Sequence, residues 1–180
     1  MRIFIAAVLP DEIKRLLGEF IEAIKGNVQG VKWELPHKLH ITLKFIGEVN
    51  SDFPDRINSA LSNCDFTSRT IEMRIDSMAA FPNLKKPKVL VVKFDKSGIL
   101  DEVHDCIEHQ MSLLGIGKET REFIPHVTIG RVKSGFKIKG DIPSIDNREF
   151  KLRGIEIVRS LLNRHGSDYF TCFAYRLGIM

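Results

Sequence analysis

The spacing of apolar residues predicts alternating strands and helices. Three stretches have helical spacing: one begins at Asp11 and is closed by Gly26 and Gly30, one begins at Ser51, and one covers 97–114. Period-two alternation or short β-branched runs predict strands over 2–8, 39–46, 71–77, 89–94, 124–132, 149–162 and 168–177. About seven strands and three helices in this order predict an α+β fold.

The length and composition fit one ordered unit. A chain of 180 residues can form two lobes packed together, and we expect such a single bilobal domain over 1–180. Hydrophobic residues make up 43% and charged residues 28%, with no Gly/Ser/Pro-rich linker. The apolar run over 2–9 is too short to span a membrane, so we expect no membrane association.

Charge and cysteine content point to the cytoplasm and to an anionic partner. Cys64, Cys106 and Cys172 are widely spaced and form no C-x-x-C pair, which predicts reduced thiols in a cytoplasmic protein. The net charge of +4 suits a polyanionic partner such as a nucleic acid. A monomer is expected.

Two tetrapeptides of the same form lie in the two halves of the chain, His40-Ile41-Thr42-Leu43 and His126-Val127-Thr128-Ile129. In an extended strand, successive side chains point to opposite faces. Each tetrapeptide therefore places its histidine and threonine on one face and two aliphatic residues on the other. Two matching strands that share a cleft would bring together two imidazoles and two hydroxyls. The order of elements around these strands also predicts a duplicated βαβ-like unit.

This set of side chains favours phosphoester chemistry. A neutral imidazole can accept a proton from water while a protonated imidazole donates one to a leaving oxygen. The hydroxyls of Thr42 and Thr128 can bind phosphoryl oxygens. Arg131 lies five residues after His126, nominally on the opposite strand face. Either a bulge or the end of the strand at Gly130 would turn it back toward the cleft, where its planar fork would match a phosphate.

Other interpretations of these residues remain open. The two histidines could be structural, or zinc ligands, although neither strand offers the close-spaced third ligand of catalytic zinc sites. We therefore predict no metal and no cofactor. Trp33 and Phe81 could stack on a base or pack in the core. The remaining polar candidates are expected on loops or at solvated positions: His37, His104, His109, His165, Lys85, Lys86 and Lys88.

The motifs and their flanking segments resemble the two-histidine phosphoesterases, and within them the RNA 2′,3′-cyclic phosphodiesterases, long described as 2′-5′ RNA ligases. The similar segments are 2–6, 33–48 and 123–132, with further landmarks at 81–82, 87–90, 160–161, Gly166 and Tyr169. The resemblance implies two antiparallel sheets related by a pseudo-twofold around a cleft. It also implies metal-independent opening of a terminal 2′,3′-cyclic phosphate of RNA to a 2′-phosphate, with tRNA halves as candidate substrates.

The resemblance further suggests His40 as the acid and His126 as the base, although the symmetry of the motifs leaves the assignment open. The same site run in reverse would join RNA ends through a 2′-5′ linkage. Two other functions compete with RNA-end hydrolysis. One is hydrolysis of a small cyclic phosphate, such as ADP-ribose 1″,2″-cyclic phosphate or a nucleoside 2′,3′-cyclic phosphate. The other is RNA-end binding without turnover.

Overall fold

The computed structural model describes residues 1–164 and 166–178. In these ranges the strands are β1 (Arg2–Val8), β2 (Val28–Trp33), β3 (Ile41–Glu48), β4 (Glu72–Phe81), β5 (Val89–Phe94), β6 (His126–Ile138), β7 (Glu149–Lys151), β8 (Gly154–Asn163) and β9 (Gly166–Arg176). The helices are α1 (Asp11–Ile24), α2 (Phe53–Leu61) and α3 (Gly98–Leu113), with one 3₁₀ turn at Pro36–Lys38.

The strands form a curled antiparallel sheet with the order β7-β4-β5-β6-β3-β1-β8-β9, and β2 pairs with β6 beside this path. The sheet has two four-stranded halves that meet where β3 pairs with β6 through Ile41 and Val127. The predicted α+β architecture with two related antiparallel halves is confirmed. The halves are joined by backbone pairing at the two histidine strands.

The repeated unit is present in an antiparallel form. In the first half, α1 lies between β1 and β3 in the chain, and these strands are antiparallel neighbours. In the second half, α3 lies between β5 and β6, which are also antiparallel neighbours. The expected βαβ-like unit is therefore a strand, a helix and an adjacent antiparallel strand, repeated around the β3–β6 contact.

One strand was missed by the sequence prediction and another was not divided, while β4 and β6 run beyond their predicted ends at 77 and 132. Strand β2 was not predicted, because Gly30 interrupts its alternation and resembles a helix end. In the fold Gly30 has φ +74°, and a Cβ there would lie 2.6 Å from the backbone of Gly135, so the two strands approach too closely for a side chain. The strand predicted over 149–162 is divided into β7 and β8, which pair with β4 and β1 respectively.

The main core lies between the helices and one face of the sheet. Fully buried residues from α1, α3 and the strands fill it, including Ile13, Leu17, Ile107, Ile41 and Val127. A smaller cluster of Phe4, Ala6 and Val158 lies apart from this core and packs against Tyr169. No helix in the described ranges is long and apolar enough to cross a membrane.

A disulfide joins Cys64, just after α2, to Cys106 in α3. The prediction of three reduced thiols is therefore wrong for this pair. The helices α2 and α3 pack together and place the two Cα atoms 6.2 Å apart, within the range that a disulfide spans. Sequence spacing could not show this, because the contact depends on how two distant helices pack. Cys172 is a free thiol, as expected.

Candidate active site

The pairing of β3 with β6 brings the two histidine motifs together. Ile41 faces Val127 in this antiparallel pair, and both side chains are fully buried in the core. Their sequence neighbours therefore point to the opposite face, with His40 opposite Thr128 and Thr42 opposite His126. The imidazoles occupy diagonal corners of a square, where residues are typically about 7–8 Å apart and their Cβ atoms somewhat closer. The hydroxyls occupy the other two corners.

The backbone holds both imidazoles in the same way. Nδ1 of His40 lies 2.7 Å from the carbonyl oxygen of Lys38, and Nδ1 of His126 lies 2.7 Å from that of Ile124. A carbonyl only accepts, so each Nδ1 carries a proton and donates it. Each Nε2 is then the position that gains or loses a proton. One of these atoms can serve as a base and the other, when protonated, as an acid.

Aromatic rings pack against each imidazole. His40 stacks on Phe4 with ring centroids 4.8 Å apart, and the edge of Tyr169 approaches it at 5.4 Å. His126 makes an edge contact with Phe81 at 5.0 Å. Burial lowers the pKa of both histidines below the usual 6.5, and the hydrogen bonds to backbone carbonyls oppose this shift. Both imidazoles are therefore easier to deprotonate than a free histidine.

A bulge lies at the last residue of the second histidine motif. In β6, Val91 faces Thr128 but Leu90 faces Gly130, so Ile129 has no counterpart. One unpaired residue reverses the alternation of the following side chains. Arg131 is thereby returned to the face of His126 and Thr128. The β5–β6 register therefore contains the bulge that is needed to place Arg131 on this face.

Arg131 lies close enough to His40 for its charge to act on the imidazole. Its Nε donates to Oε1 of Glu34 at 3.1 Å, and its charge lowers the pKa of His40. The carboxylate of Glu34 acts in the opposite direction and raises that pKa. Burial raises the pKa of the Tyr169 hydroxyl; Glu34 raises it further, and Arg131 opposes them. A cation, a carboxylate and a phenol therefore lie beside the first histidine.

Glu34 and Tyr169 were not predicted as site residues. Glu34 directly follows β2, the strand that the sequence did not reveal, and its backbone N–H donates to Ile129 O at 2.9 Å. Tyr169 belongs to β9, at the far end of the chain. The only sequence signal for either was its place in a segment that resembles the phosphodiesterases.

Lys38, two residues before His40, is hydrogen-bonded to the hairpin of β8 and β9. Nζ of Lys38 donates to Ser167 O at 2.7 Å and lies 3.4 Å from Oδ1 of Asp168. Because Lys38 O also accepts from His40, this contact links the position of the imidazole to the same hairpin that carries Tyr169.

The other candidates lie away from the square. Trp33 packs against the core, and a Cβ on Gly130 would lie 2.5 Å from Val31 and 3.0 Å from Trp33, which explains the glycine. His104 is packed on Phe123 rather than solvated, with ring centroids 4.2 Å apart. The solvated positions predicted for other side chains are observed for His37, His109, Lys85, Lys86 and Lys88. The prediction for His165 concerns a residue outside the described ranges.

Metal ligands were also sought among the side chains of residues 1–164 and 166–178. No three His, Cys, Asp or Glu side chains in these ranges are grouped so as to hold a metal ion. The prediction of metal-independent chemistry rests on the two-histidine arrangement and stays a prediction.

Comparison with known proteins agrees with this geometry. The family described as LigT like phosphoesterase matches residues 8–91, which include the first histidine motif. An RNA 2′,3′-cyclic phosphodiesterase of Methanocaldococcus jannaschii is 33% identical over 94% of this chain and 96% of the relative. A protein with the same name from Archaeoglobus fulgidus is 30% identical over 94% of this chain and 96% of its own length.

Solved structures share the fold. A crystal structure of a Thermus thermophilus protein is similar with a TM-score of 0.85, 26% identity and 98% coverage of both chains. The structure of E. coli LigT complexed with 3′-AMP has a TM-score of 0.81 at 19% identity, and the match covers 98% of this chain and 97% of that one. With a full-length relative at 33% identity and both histidine motifs on one face, the chain belongs to the RNA 2′,3′-cyclic phosphodiesterase family of LigT-like phosphoesterases.

Proposed function

We propose that this protein hydrolyses a terminal 2′,3′-cyclic phosphate of RNA to a 2′-phosphate by acid/base catalysis with His40 and His126. One observation carries the proposal. Two imidazoles with the same backbone-fixed protonation of Nδ1 lie diagonally on one face of the β3–β6 pair. The names of the full-length relatives support the substrate.

The reaction needs two proton transfers on opposite sides of the phosphorus. The neutral Nε2 of one histidine takes a proton from water, and the water oxygen forms a bond to phosphorus. The protonated Nε2 of the other histidine donates its proton to O3′ as the P–O3′ bond breaks. The products are a 3′-hydroxyl and a 2′-phosphate. The diagonal spacing of the imidazoles suits attack and departure on opposite sides.

Three side chains are proposed to hold the charged phosphoryl oxygens. The hydroxyls of Thr42 and Thr128 occupy the two corners of the square between the imidazoles and can donate hydrogen bonds. Arg131 adds a positive charge from the same face, and its Nε donates to Glu34. Charge that develops on the phosphoryl oxygens is stabilised by donors already in position.

The roles of the two histidines follow the family resemblance, with His40 as the acid and His126 as the base. Burial is the largest cause of the lowered pKa of both histidines. Charged side chains act on His40 in both directions, because Glu34 raises its pKa while Lys14 and Arg131 lower it.

The pH profile tests this pair of roles. The base must be neutral, so kcat/KM should rise as pH increases through the pKa of His126. The acid must be protonated, so kcat/KM should fall as pH increases through the pKa of His40. Because burial lowers both values, we expect a bell-shaped profile with its maximum below about pH 6.5. A monotonic rise with pH would contradict the paired mechanism.

Glu34→Gln separates the two assignments. The substitution removes the charge that raises the pKa of His40, so the limb that His40 controls should move to lower pH. If His40 is the acid, the descending limb moves; if it is the base, the ascending limb moves. Glu19→Gln, on the exposed side of α1, is the matched control and should leave both limbs in place.

The biological setting is part of the proposal. We infer a cytoplasmic monomer that acts on RNA ends such as tRNA halves, with 2′-5′ ligation as the reverse reaction of the same site. The net charge of +4 supports an RNA substrate. The Cys64–Cys106 disulfide is compatible with this setting in thermophiles, whose intracellular proteins contain disulfides more often than those of mesophiles.

The competing function is hydrolysis of a small cyclic phosphate, and the dependence of kcat/KM on oligonucleotide length and salt distinguishes it from hydrolysis of RNA ends. Contacts to several RNA phosphates require that kcat/KM increases with oligonucleotide length and decreases as salt is added. We expect both trends with RNAs that end in a 2′,3′-cyclic phosphate. Equal kcat/KM for a mononucleoside or ADP-ribose cyclic phosphate and for a longer RNA oligonucleotide, at all salt concentrations, would favour a small-molecule substrate instead.

A further inference from the structure

A carboxylate lies beside the side chains that are proposed to hold the phosphate. Oε1 of Glu34 accepts a hydrogen bond from Nε of Arg131 at 3.1 Å. The backbone fixes the position of Glu34, because its N–H donates to Ile129 O at 2.9 Å, and its side chain is 22% exposed. A negative charge at a site for an anion repels that anion. Glu34 therefore weakens the attraction that Arg131 exerts on a phosphate.

Glu34 also acts on two other titratable side chains of the site. The pKa of His40 is lowered mainly by burial, and Glu34 opposes that shift. The pKa of the Tyr169 hydroxyl is raised mainly by burial, and Glu34 raises it further. The carboxylate is therefore close to His40, Tyr169 and Arg131 at once, beside one of the two imidazoles that act on the phosphate.

The other charges around the first histidine do not take the place of Glu34. Lys14, on α1, lowers the pKa of His40 in addition to the larger effect of burial. The ammonium of Lys38 lies 3.4 Å from the carboxylate of Asp168, so these two charges offset each other. In the described parts of the chain, Glu34 is the carboxylate whose charge acts on His40.

The proposed reaction changes the charge of the phosphate. A 2′,3′-cyclic phosphate is a diester and carries one negative charge. The product is a monoester, which loses its second proton with a pKa of about 6 and therefore carries close to two negative charges at neutral pH. A nearby carboxylate repels a dianion more strongly than a monoanion. Substrate and product thus differ in the property to which Glu34 responds.

We propose that Glu34 is a specificity-determining residue, whose charge makes the site prefer the cyclic diester to the monoester product and so promotes product release. This inference rests on the proposed function and adds the discrimination between its substrate and its product. Arg131 attracts both forms, and Glu34 offsets that attraction most for the dianion. The amide oxygen of a glutamine could accept the same hydrogen bond from Arg131. The assigned role therefore depends on the charge of Glu34 and not on its shape.

Glu34→Gln tests this role with two ligands that do not react. They are 3′-deoxyadenosine 2′-phosphate and its methyl ester, which share the base and the phosphate position but differ in charge, and which lack the 3′-hydroxyl needed to form a cyclic phosphate. At about pH 7.5, calorimetry should show that E34Q tightens the binding of the monoester on the order of tenfold more than that of the methyl ester. At about pH 5, where the monoester carries mainly one negative charge, E34Q should affect both ligands alike.

Glu48→Gln is the matched control. Glu48 is an exposed carboxylate that also pairs with an arginine, at 3.6 Å from Arg2, but it lies at the opposite end of β3 from His40. This substitution should leave the ratio of the two dissociation constants at its wild-type value at both pH values.

The titration of the bound monoester provides a second measurement of the same charge. Phosphorus NMR should show that the second pKa of bound 3′-deoxyadenosine 2′-phosphate is lower in E34Q than in the wild-type protein by about 1, which corresponds to the tenfold change in the ratio. An unchanged pKa and an equal response of both ligands at about pH 7.5 would mean that Glu34 only orients Arg131, and would overturn the proposal.

The failure of the proposed function would have a different signature. If the wild-type protein hydrolyses no 2′,3′-cyclic phosphate, the proposed function is wrong. The ratio of the two dissociation constants needs no turnover and still decides whether the charge of Glu34 separates a dianion from a monoanion. Failure of both ligands to bind to the wild-type protein and to E34Q would overturn the proposal as well.

Discussion

Replacing either His40 or His126 by alanine is expected to lower kcat/KM on cyclic-phosphate RNA on the order of 10³-fold. Each substitution removes one of the two proton transfers, and a positioned acid or base contributes about 10²–10⁴-fold. A backbone carbonyl orients each imidazole, so Nε2 of each ring is already in position for its proton transfer. The measurement is steady-state hydrolysis of an RNA oligonucleotide with a 2′,3′-cyclic phosphate end.

The double variant and a control sharpen this result. If the two histidines act in one step, His40→Ala combined with His126→Ala should lose little more activity than either alone. His109→Ala changes an exposed histidine on α3 and should retain wild-type activity. Thermal unfolding of the single variants shows whether a loss of activity comes from the missing proton transfer or from a loss of folding. Full activity in either single variant would exclude the acid/base mechanism.

Lys44→Met is expected to lower the free energy of unfolding by about 3–5 kcal/mol, because it leaves a buried carboxylate without its partner. Nζ of Lys44 lies 2.8 Å from the Glu108 carboxylate and donates to Gly117 O at 2.7 Å. The two side chains are 5% and 10% exposed. In a chain of this size such a loss lowers the melting temperature by about 10 °C.

Two further variants test whether the missing partner is the cause. Replacing both members, as Lys44→Met with Glu108→Leu, should restore most of the stability because no charge is then left buried. Lys151→Met removes a lysine from an exposed pair with Glu72 and should have no measurable effect on unfolding. If Lys44→Met lowered the free energy of unfolding no more than Lys151→Met, the buried pair would not stabilise the fold.

The local patterns predicted most helices and strands because each buries a repeating apolar face. Helix α1 was placed within a residue or two, because its apolar spacing is regular and Pro10 and Gly26 flank it. Strand β2 was missed, because Gly30 is needed for close strand contact and its local signal is the same as that of a helix end. The disulfide was missed because the distance between Cys64 and Cys106 depends on the packing of α2 against α3.

The candidate site likewise combines residues that local sequence patterns predicted with residues that only the folded chain brings together. The histidines and threonines were predicted because two short motifs repeat, and the alternation of a strand puts both residues of each motif on one face. Arg131 required a bulge, whose presence was raised as an option but whose position depends on the pairing with β5. Glu34 follows β2 and Tyr169 lies in β9, and only the folded sheet brings them to His40.

The central claim is tested most directly by the product that the EDTA-treated wild-type protein makes from an RNA oligonucleotide with a 2′,3′-cyclic phosphate end. Phosphorus NMR and mass spectrometry distinguish a 2′-phosphate from a 3′-phosphate and from unreacted substrate. We predict a 2′-phosphate end, formed by cleavage of the P–O3′ bond. A 3′-phosphate product, or intact substrate after prolonged incubation, would contradict the proposed reaction.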